Sequence, residues 1–214
     1  MLPGAVPGDR VERLAAVYDA AVASADPADM RVGRTTARVD GFVGRGAEFE
    51  ELYVYPPLLE ACCRVIGRPF KLSSLHARTL RPGAPAQELH VDVQLESDDW
   101  PLVCFILMVD PFRADNGATR FVRGSHRWLE RPGDAPLSDR VVSEIPACEP
   151  AGSLLVFNGS AWHGHSANAS AKPRRSVQGA FIPREGNAAA DWSVRLKPET
   201  LTRMSALARY IMAA

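Results

Sequence analysis

The apolar residues at the start of the chain recur at helix spacing. After Asp9, residues Val11, Leu14, Ala15, Tyr18 and Val22 fall on one face of a helix, and Asp26-Pro27 marks its end. The eight residues before it are rich in Pro and Gly and are expected to fray. A Gly-rich stretch, 41–46, separates this helix from two more. Residues 48–54 read as a short one. Residues 58–66 read as another, introduced by Pro56-Pro57 and stopped at Gly67.

From Phe70 the period shortens. Apolar runs at 71–80, 88–95, 102–109, 119–122, 141–145, 153–157, 160–163 and 174–183 have strand length, and turn signals such as Arg81-Pro82-Gly83, Asp115-Asn116-Gly117, Arg131-Pro132-Gly133 and Asn158-Gly159 punctuate them. Short strands with such punctuation predict an all-β barrel or sandwich. A last helical pattern covers 198–212. The expectation is a mainly β protein with flanking helices, forming one domain over 1–214: a helical part at about 9–67, a β core at about 70–183 and a C-terminal helix at about 198–212.

Composition narrows the function classes. With 214 residues, 46% hydrophobic and 23% charged, the chain has the make-up of a globular protein with one substantial core. Lys plus Arg equals Asp plus Glu, 25 each, so no net field favours nucleic acid or an anionic membrane. No apolar run approaches the roughly 20 residues that span a bilayer, and no signal peptide is apparent, so a cytoplasmic location is expected. Cys62, Cys63, Cys104 and Cys148 form no Cys-x-x-Cys pair and are expected to be buried or partly buried free thiols.

Two histidines lie where chemistry is expected. His90 and Asp92 are two residues apart in a segment of strand character, so an imidazole and a carboxylate leave one face together. His163 follows the Asn158-Gly159 turn. Two His and one carboxylate on one face of a metal leave open positions, the arrangement of non-haem Fe(II) oxygenases, in which a 2-oxo acid and O2 complete the iron. A 2-oxo diacid also needs a cation for its far carboxylate, and a guanidinium suits it best. Arg174 and Ser176 share a face at the start of the next strand, while Arg175 is expected to face solvent. A His-x-Asp pair alone is common on protein surfaces, so the surrounding segments carry the argument.

Those segments are Gln87-Glu88-Leu89-His90-Val91-Asp92, the block from Asn116-Gly117 through Gly124-Ser125-His126 to Trp128, Ala151–Gly159, and His163-Gly164-His165-Ser166-Ala167-Asn168 followed by Arg174. In order and spacing, from about 34 to 183, they resemble the phytanoyl-CoA dioxygenase family. The resemblance implies a double-stranded β-helix (a jelly-roll, cupin-like core) that hydroxylates or otherwise oxidises a C–H bond of a small organic molecule. It implies Fe(II), O2 and 2-oxoglutarate as co-substrate, with succinate and CO2 as co-products. It assigns His90, Asp92 and His163 as metal ligands and Arg174 as the 2-oxoglutarate anchor. Family members often carry a small hydroxyl residue two places after the distal histidine. Here that place is His165, which is expected to take over the contact to 2-oxoglutarate, with Ser176 beside it.

Further candidates follow from parity. Lys71 and Ser73 alternate onto one face of the strand that, in related enzymes, helps hold the co-substrate, and His76 and Arg78 lie further along it as candidates for the substrate, with Gln87 at the pocket mouth. His126 is expected to tie its own loop, and Trp162 to face the core. Two rival functions remain: a cupin-like isomerase or dioxygenase that does not use 2-oxoglutarate, and a non-catalytic binding barrel. A small-molecule substrate is the expected partner, with no nucleic acid and no membrane. Oligomeric state is not legible.

Overall fold

A computed structural model describes residues 1–94, 101–133 and 143–213. The chain opens with helix α1 (Gly8–Ala23), strands β1 (Met30–Val32) and β2 (Thr36–Val39), and helices α2 (Ala47–Tyr53) and α3 (Pro56–Ile66). The core strands follow: β3 (Phe70–Leu80), β4 (Val103–Met108), β5 (Thr119–Val122), β6 (Glu144–Pro146), β7 (Leu154–Asn158), β8 (His163–His165) and β9 (Arg174–Pro183). Three short helices close it: α4 (Trp192–Arg195), α5 (Pro198–Arg203) and α6 (Ala206–Met212).

Two antiparallel sheets result. The larger has the order β1-β2-β3-β9-β4-β7, and the smaller β6-β5-β8. The chain crosses from one to the other between β4 and β5 and back again between β8 and β9, which makes the expected double-stranded β-helix. Strand β4 shows why this sequence folds so. All six of its residues are buried, because the helices cover one of its faces and the small sheet the other. Val103, Phe105 and Leu107 join the large core beneath α1–α3. Ile106 and Met108 join Phe112, Ala118, Ala147 and Leu155 in a second core between the sheets. The face that carries Cys104, Ile106 and Met108 therefore looks into the barrel. Helix α3 buries Leu58, Cys62 and Ile66, spaced by one turn, against the outer face; Pro56 stands in its first turn and Gly67 ends it at φ 68°.

Several expectations need correction. Residues 88–94 do not form a strand: a single bridge joins His90 to His163, and residue 95 lies outside the described residues. The run at 141–145 appears as β6, Glu144–Pro146, with 141 and 142 also outside. The strand expected at 160–163 begins at His163 instead. The C-terminal helix is broken where Ser205 caps α6 by accepting from the Ala208 amide at 3.1 Å. The hairpin β1–β2 was not expected, since its exposed edge carries little apolar alternation. The N-terminus does not fray: Leu2 exchanges backbone hydrogen bonds with Leu154 at 2.8 and 2.9 Å. All four cysteines are free, but Cys63 and Cys148 are exposed. Arg175 does not simply face solvent. It forks onto Asp110 (Nη2 to Oδ1 2.7 Å) and reaches Asp19 of α1 (2.7 Å), tying β9 to the helical layer. Among the described residues, no helix is long and apolar enough to cross a membrane.

One turn of the Asn116-Gly117 block tests the fold directly. Gly117 sits at φ 84°, and a Cβ placed there would meet Leu80 Cδ2 at 2.1 Å. Gly117→Ala would add left-handed strain to overpacking, so a loss of about 2–4 kcal/mol is expected in denaturant unfolding. A loss below about 1 kcal/mol would mean that the turn rearranges freely.

Candidate active site

Backbone pairing, more than strand alternation, brings the site together. His90 and His163 exchange backbone hydrogen bonds at 2.9 and 3.0 Å, and the Asp92 amide donates to Gly159 O at 2.9 Å. The segment carrying His90 and Asp92 is thereby laid along β8. The two imidazole rings stand 4.3 Å apart. One ligand-type atom from each of His90, Asp92 and His163 falls within 4.8 Å of the others.

The hydrogen bonds fix the tautomers. His163 Nδ1 lies 2.9 Å from Ala161 O and His90 Nδ1 3.2 Å from Glu88 O. A carbonyl only accepts, so each neutral ring carries its proton on Nδ1 and presents the Nε2 lone pair. His163 Nε2 is 3.6 Å from Asp92 Oδ2. Burial holds the His163 imidazole below its usual pKa, against the pull of Asp92, and a ring already unprotonated competes better for a cation. Phe121 stacks on that ring at 5.7 Å and Phe157 tilts against it at 4.8 Å, which locks its plane.

A cavity of about 330 Å³ opens in front of the three residues. At its far side lies Arg174, 2% exposed, its guanidinium 3.9 Å from the centre of the Phe112 ring. Its Nε and Nη1 find no hydrogen-bond partner among the described residues. Burial lowers its pKa to about 9, and neighbouring Arg78 adds to the shift, so the group is still cationic at neutral pH. A buried cation with two unused N–H donors is costly unless an anion completes it.

The structure gathers most of the residues singled out from the sequence. His90, Asp92, His163, Arg174, His165, Gln87, Ser73, His76 and Arg78 all line the cavity. Two do not. Ser176 is fully buried, its hydroxyl donating to Arg78 O at 3.1 Å. Lys71 pairs with Ile182 beyond the cavity, because the strand register shifts between Leu72 and Ser74 and the extra residue breaks simple alternation. Ser73 falls at that irregularity, its Oγ accepting from the Ala189 amide at 2.9 Å. His165 lies on the same strand as His163 but outside the cluster of three, its Nδ1 3.0 Å from Ser166 O. Ser125, more than His126, ties the following loop: its hydroxyl donates to Val122 O at 2.7 Å and accepts from the Trp162 amide at 2.8 Å. Trp162 is buried as expected.

Some lining residues escaped the sequence reading. Thr119 is buried opposite His165. Gln178 follows Arg174 and Ser176 on one face of β9, a parity that could have revealed it. Cys104 donates its thiol to Asp92 Oδ2 at 3.3 Å. Arg38 reaches the cavity from the unexpected strand β2.

The donor set fits a divalent metal with open positions, and the orphaned guanidinium fits a carboxylate ligand beside it. Comparisons with known proteins agree. The chain is 30% identical over 207 residues to the multifunctional dioxygenase ausE of Emericella nidulans, covering 86% of this chain and 69% of that protein. It is 40% identical over 99 residues to the dioxygenase cdmA of Talaromyces verruculosus, covering 42% of this chain and 32% of that one. The chain thus spans as little as a third of the length of the curated relatives it matches. Among solved structures, the epimerase SnoN in complex with Fe3+, alpha ketoglutarate and nogalamycin RO has a TM-score of 0.72 at 15% identity, over 92% of this chain and 84% of that one. HygX from Streptomyces hygroscopicus, with nickel, 2-oxoglutarate and hygromycin B, gives 0.70 at 15%, over 87% and 83%. These two show the fold. Residues 2–176 match the family described as Phytanoyl-CoA dioxygenase (PhyH). The chain belongs to the phytanoyl-CoA dioxygenase family, whose members use Fe(II), 2-oxoglutarate and O2.

Proposed function

We propose that the protein oxidises a C–H bond of a small organic molecule as an Fe(II)- and 2-oxoglutarate-dependent dioxygenase, releasing succinate and CO2. The observation that carries this reading is the buried, unpartnered Arg174 guanidinium in the same cavity as His90, Asp92 and His163. Bound together, Fe(II) and 2-oxoglutarate supply the activation of O2, coupled to decarboxylation of the co-substrate.

The chain's own residues hold and orient. His90, Asp92 and His163 would ligate the metal, with the two rings kept in the right tautomer by Glu88 O and Ala161 O. Arg174 would pair with the distal carboxylate of 2-oxoglutarate, Thr119 and His165 flanking it. The Cys104 thiol would steady Asp92. Gln87, His76 and Arg78 would meet the substrate. SnoN and HygX, solved with a metal and 2-oxoglutarate bound, support the assignment by shared fold. A cupin-like enzyme independent of 2-oxoglutarate would leave the orphaned Arg174 without a purpose.

Anaerobic reconstitution with Fe(II) and 2-oxoglutarate should give the weak visible charge-transfer band of a bidentate 2-oxo acid on iron, and admission of air should release succinate. Binding of iron with no band and no succinate would overturn the reading.

A further inference from the structure

Arg38 and Arg78 stand directly opposite each other across the β2–β3 ladder, and both line the cavity. Two like charges in a direct cross-strand position repel. Arg38 has an answer, since its Nε donates to Asp40 Oδ1 at 2.7 Å. The Arg78 guanidinium has no hydrogen bond or ion pair among the described residues. Two residues along the same face is His76, 9% exposed, whose Nδ1 lacks a partner. Beside it on β9 is Gln178, paired with His76 in register. An unused cation and an unused buried ring nitrogen thus adjoin on one wall of the cavity.

Charge accounting says what they await. The argument rests on the proposed Fe(II)/2-oxoglutarate reading. Fe(II) with Asp92 carries one net positive charge, and doubly charged 2-oxoglutarate turns this to one negative, which Arg174 cancels. His76 stays neutral, since burial, with Arg38 nearby, pushes its pKa down to about 3. Arg78 is then the one surplus cation of the loaded site, and it is half-buried.

We propose that the substrate is a small monoanion, a carboxylate, whose anionic group is taken by Arg78 and His76. The planar guanidinium fork matches a carboxylate bidentately, and the His76 ring can donate alongside it. The skeleton is small, because about 330 Å³ lies at the lower end of ligand pockets and 2-oxoglutarate must share it.

The test uses the anaerobic Fe(II)–2-oxoglutarate protein and matched pairs of probes: benzoate, phenylacetate and cyclohexanecarboxylate against their primary amides. Perturbation of the charge-transfer band reports occupancy beside the metal. The acids should bind about 30-fold or more tightly than the amides. Arg78→Gln should erase that preference while 2-oxoglutarate affinity stays nearly unchanged, Arg78→Lys should restore part of it, and His76→Phe should weaken the acids alone. Three outcomes overturn the proposal: amides binding as well as acids, none of the acids perturbing the wild-type band, or Arg78→Gln losing 2-oxoglutarate as Arg174→Gln does. The last would make Arg78 a second co-substrate residue and leave the oxygenase reading standing. Absence of the band before any probe is added would instead overturn the oxygenase reading.

Discussion

Arg174→Met should abolish tight 2-oxoglutarate binding and, at the same time, raise the melting temperature of the ligand-free protein. The two effects have one cause. Without ligand, Arg174 is a buried cation with two unused N–H groups and only the Phe112 ring as compensation. Replacing buried charge by apolar volume is commonly neutral or stabilising by about 1–4 kcal/mol, and here no carboxylate of the protein is left stranded by the change. With co-substrate present the sign reverses. Truncating one partner of a buried charged pair costs roughly 2–5 kcal/mol of binding, a factor of about 30 or more. Fe(II) with saturating 2-oxoglutarate should therefore stabilise the wild type by mass action and leave the variant unmoved, so that the melting curves cross over. Arg175→Ala supplies the contrast. Its guanidinium holds Asp110 and Asp19 outside the cavity, so it should cost stability and leave 2-oxoglutarate affinity nearly intact. A variant Arg174→Met that melts lower than wild type without ligand, or binds 2-oxoglutarate less than tenfold more weakly, would sink the account.

The contrast between these neighbours shows where sequence reasoning reaches and where it stops. Alternation along 174–183 correctly turned Arg174 inward and Arg175 outward. It could not show that the outward residue meets acids 65 and 156 residues away. The strongest apolar runs were the most legible: β3, β5 and β9 begin and end within a residue of expectation, since a strand buried on a face must write that face into its sequence. The hairpin β1–β2 writes little, being exposed at the edge, and with it Arg38 was lost. Lys71 fails for a different reason. One extra residue near Ser73 shifts the parity of everything before it, and a bulge leaves no mark in an apolar pattern. Residues 88–94 were read as a strand for their alternation, but their extension comes from pairing with His163 and Gly159. The convergence of His90 and Asp92 survives because those bonds impose it.

His163→Ala should lose stoichiometric Fe(II), whereas His165→Ser should keep it. Strand parity puts both rings on one side of β8 and does not choose between them. Geometry does. The atom cluster that could hold a cation contains His163 with His90 and Asp92, and not His165. His163 also has what a ligand requires: Nδ1–H anchored on Ala161 O, Nε2 turned toward Asp92, and two aromatic rings fixing its plane. His165 spends its Nδ1 on Ser166 O and lies opposite Thr119 in the ladder, on the side of the cavity toward Arg174, whose charge helps depress its pKa after burial has done most of that work. A neutral ring there would donate or accept at the co-substrate, so a hydroxyl at the same place replaces part of its function. Iron titration under anaerobic conditions separates the two roles, because it reads ligation without turnover. His163→Ala leaves one imidazole and one carboxylate, a set that binds Fe(II) poorly at micromolar metal. His165→Ser should instead show full iron, a weaker 2-oxoglutarate band and reduced succinate release. Stoichiometric iron in His163→Ala together with iron loss in His165→Ser would invert the assignment, and the metal would then have to sit nearer Thr119 and Arg174 than to His90.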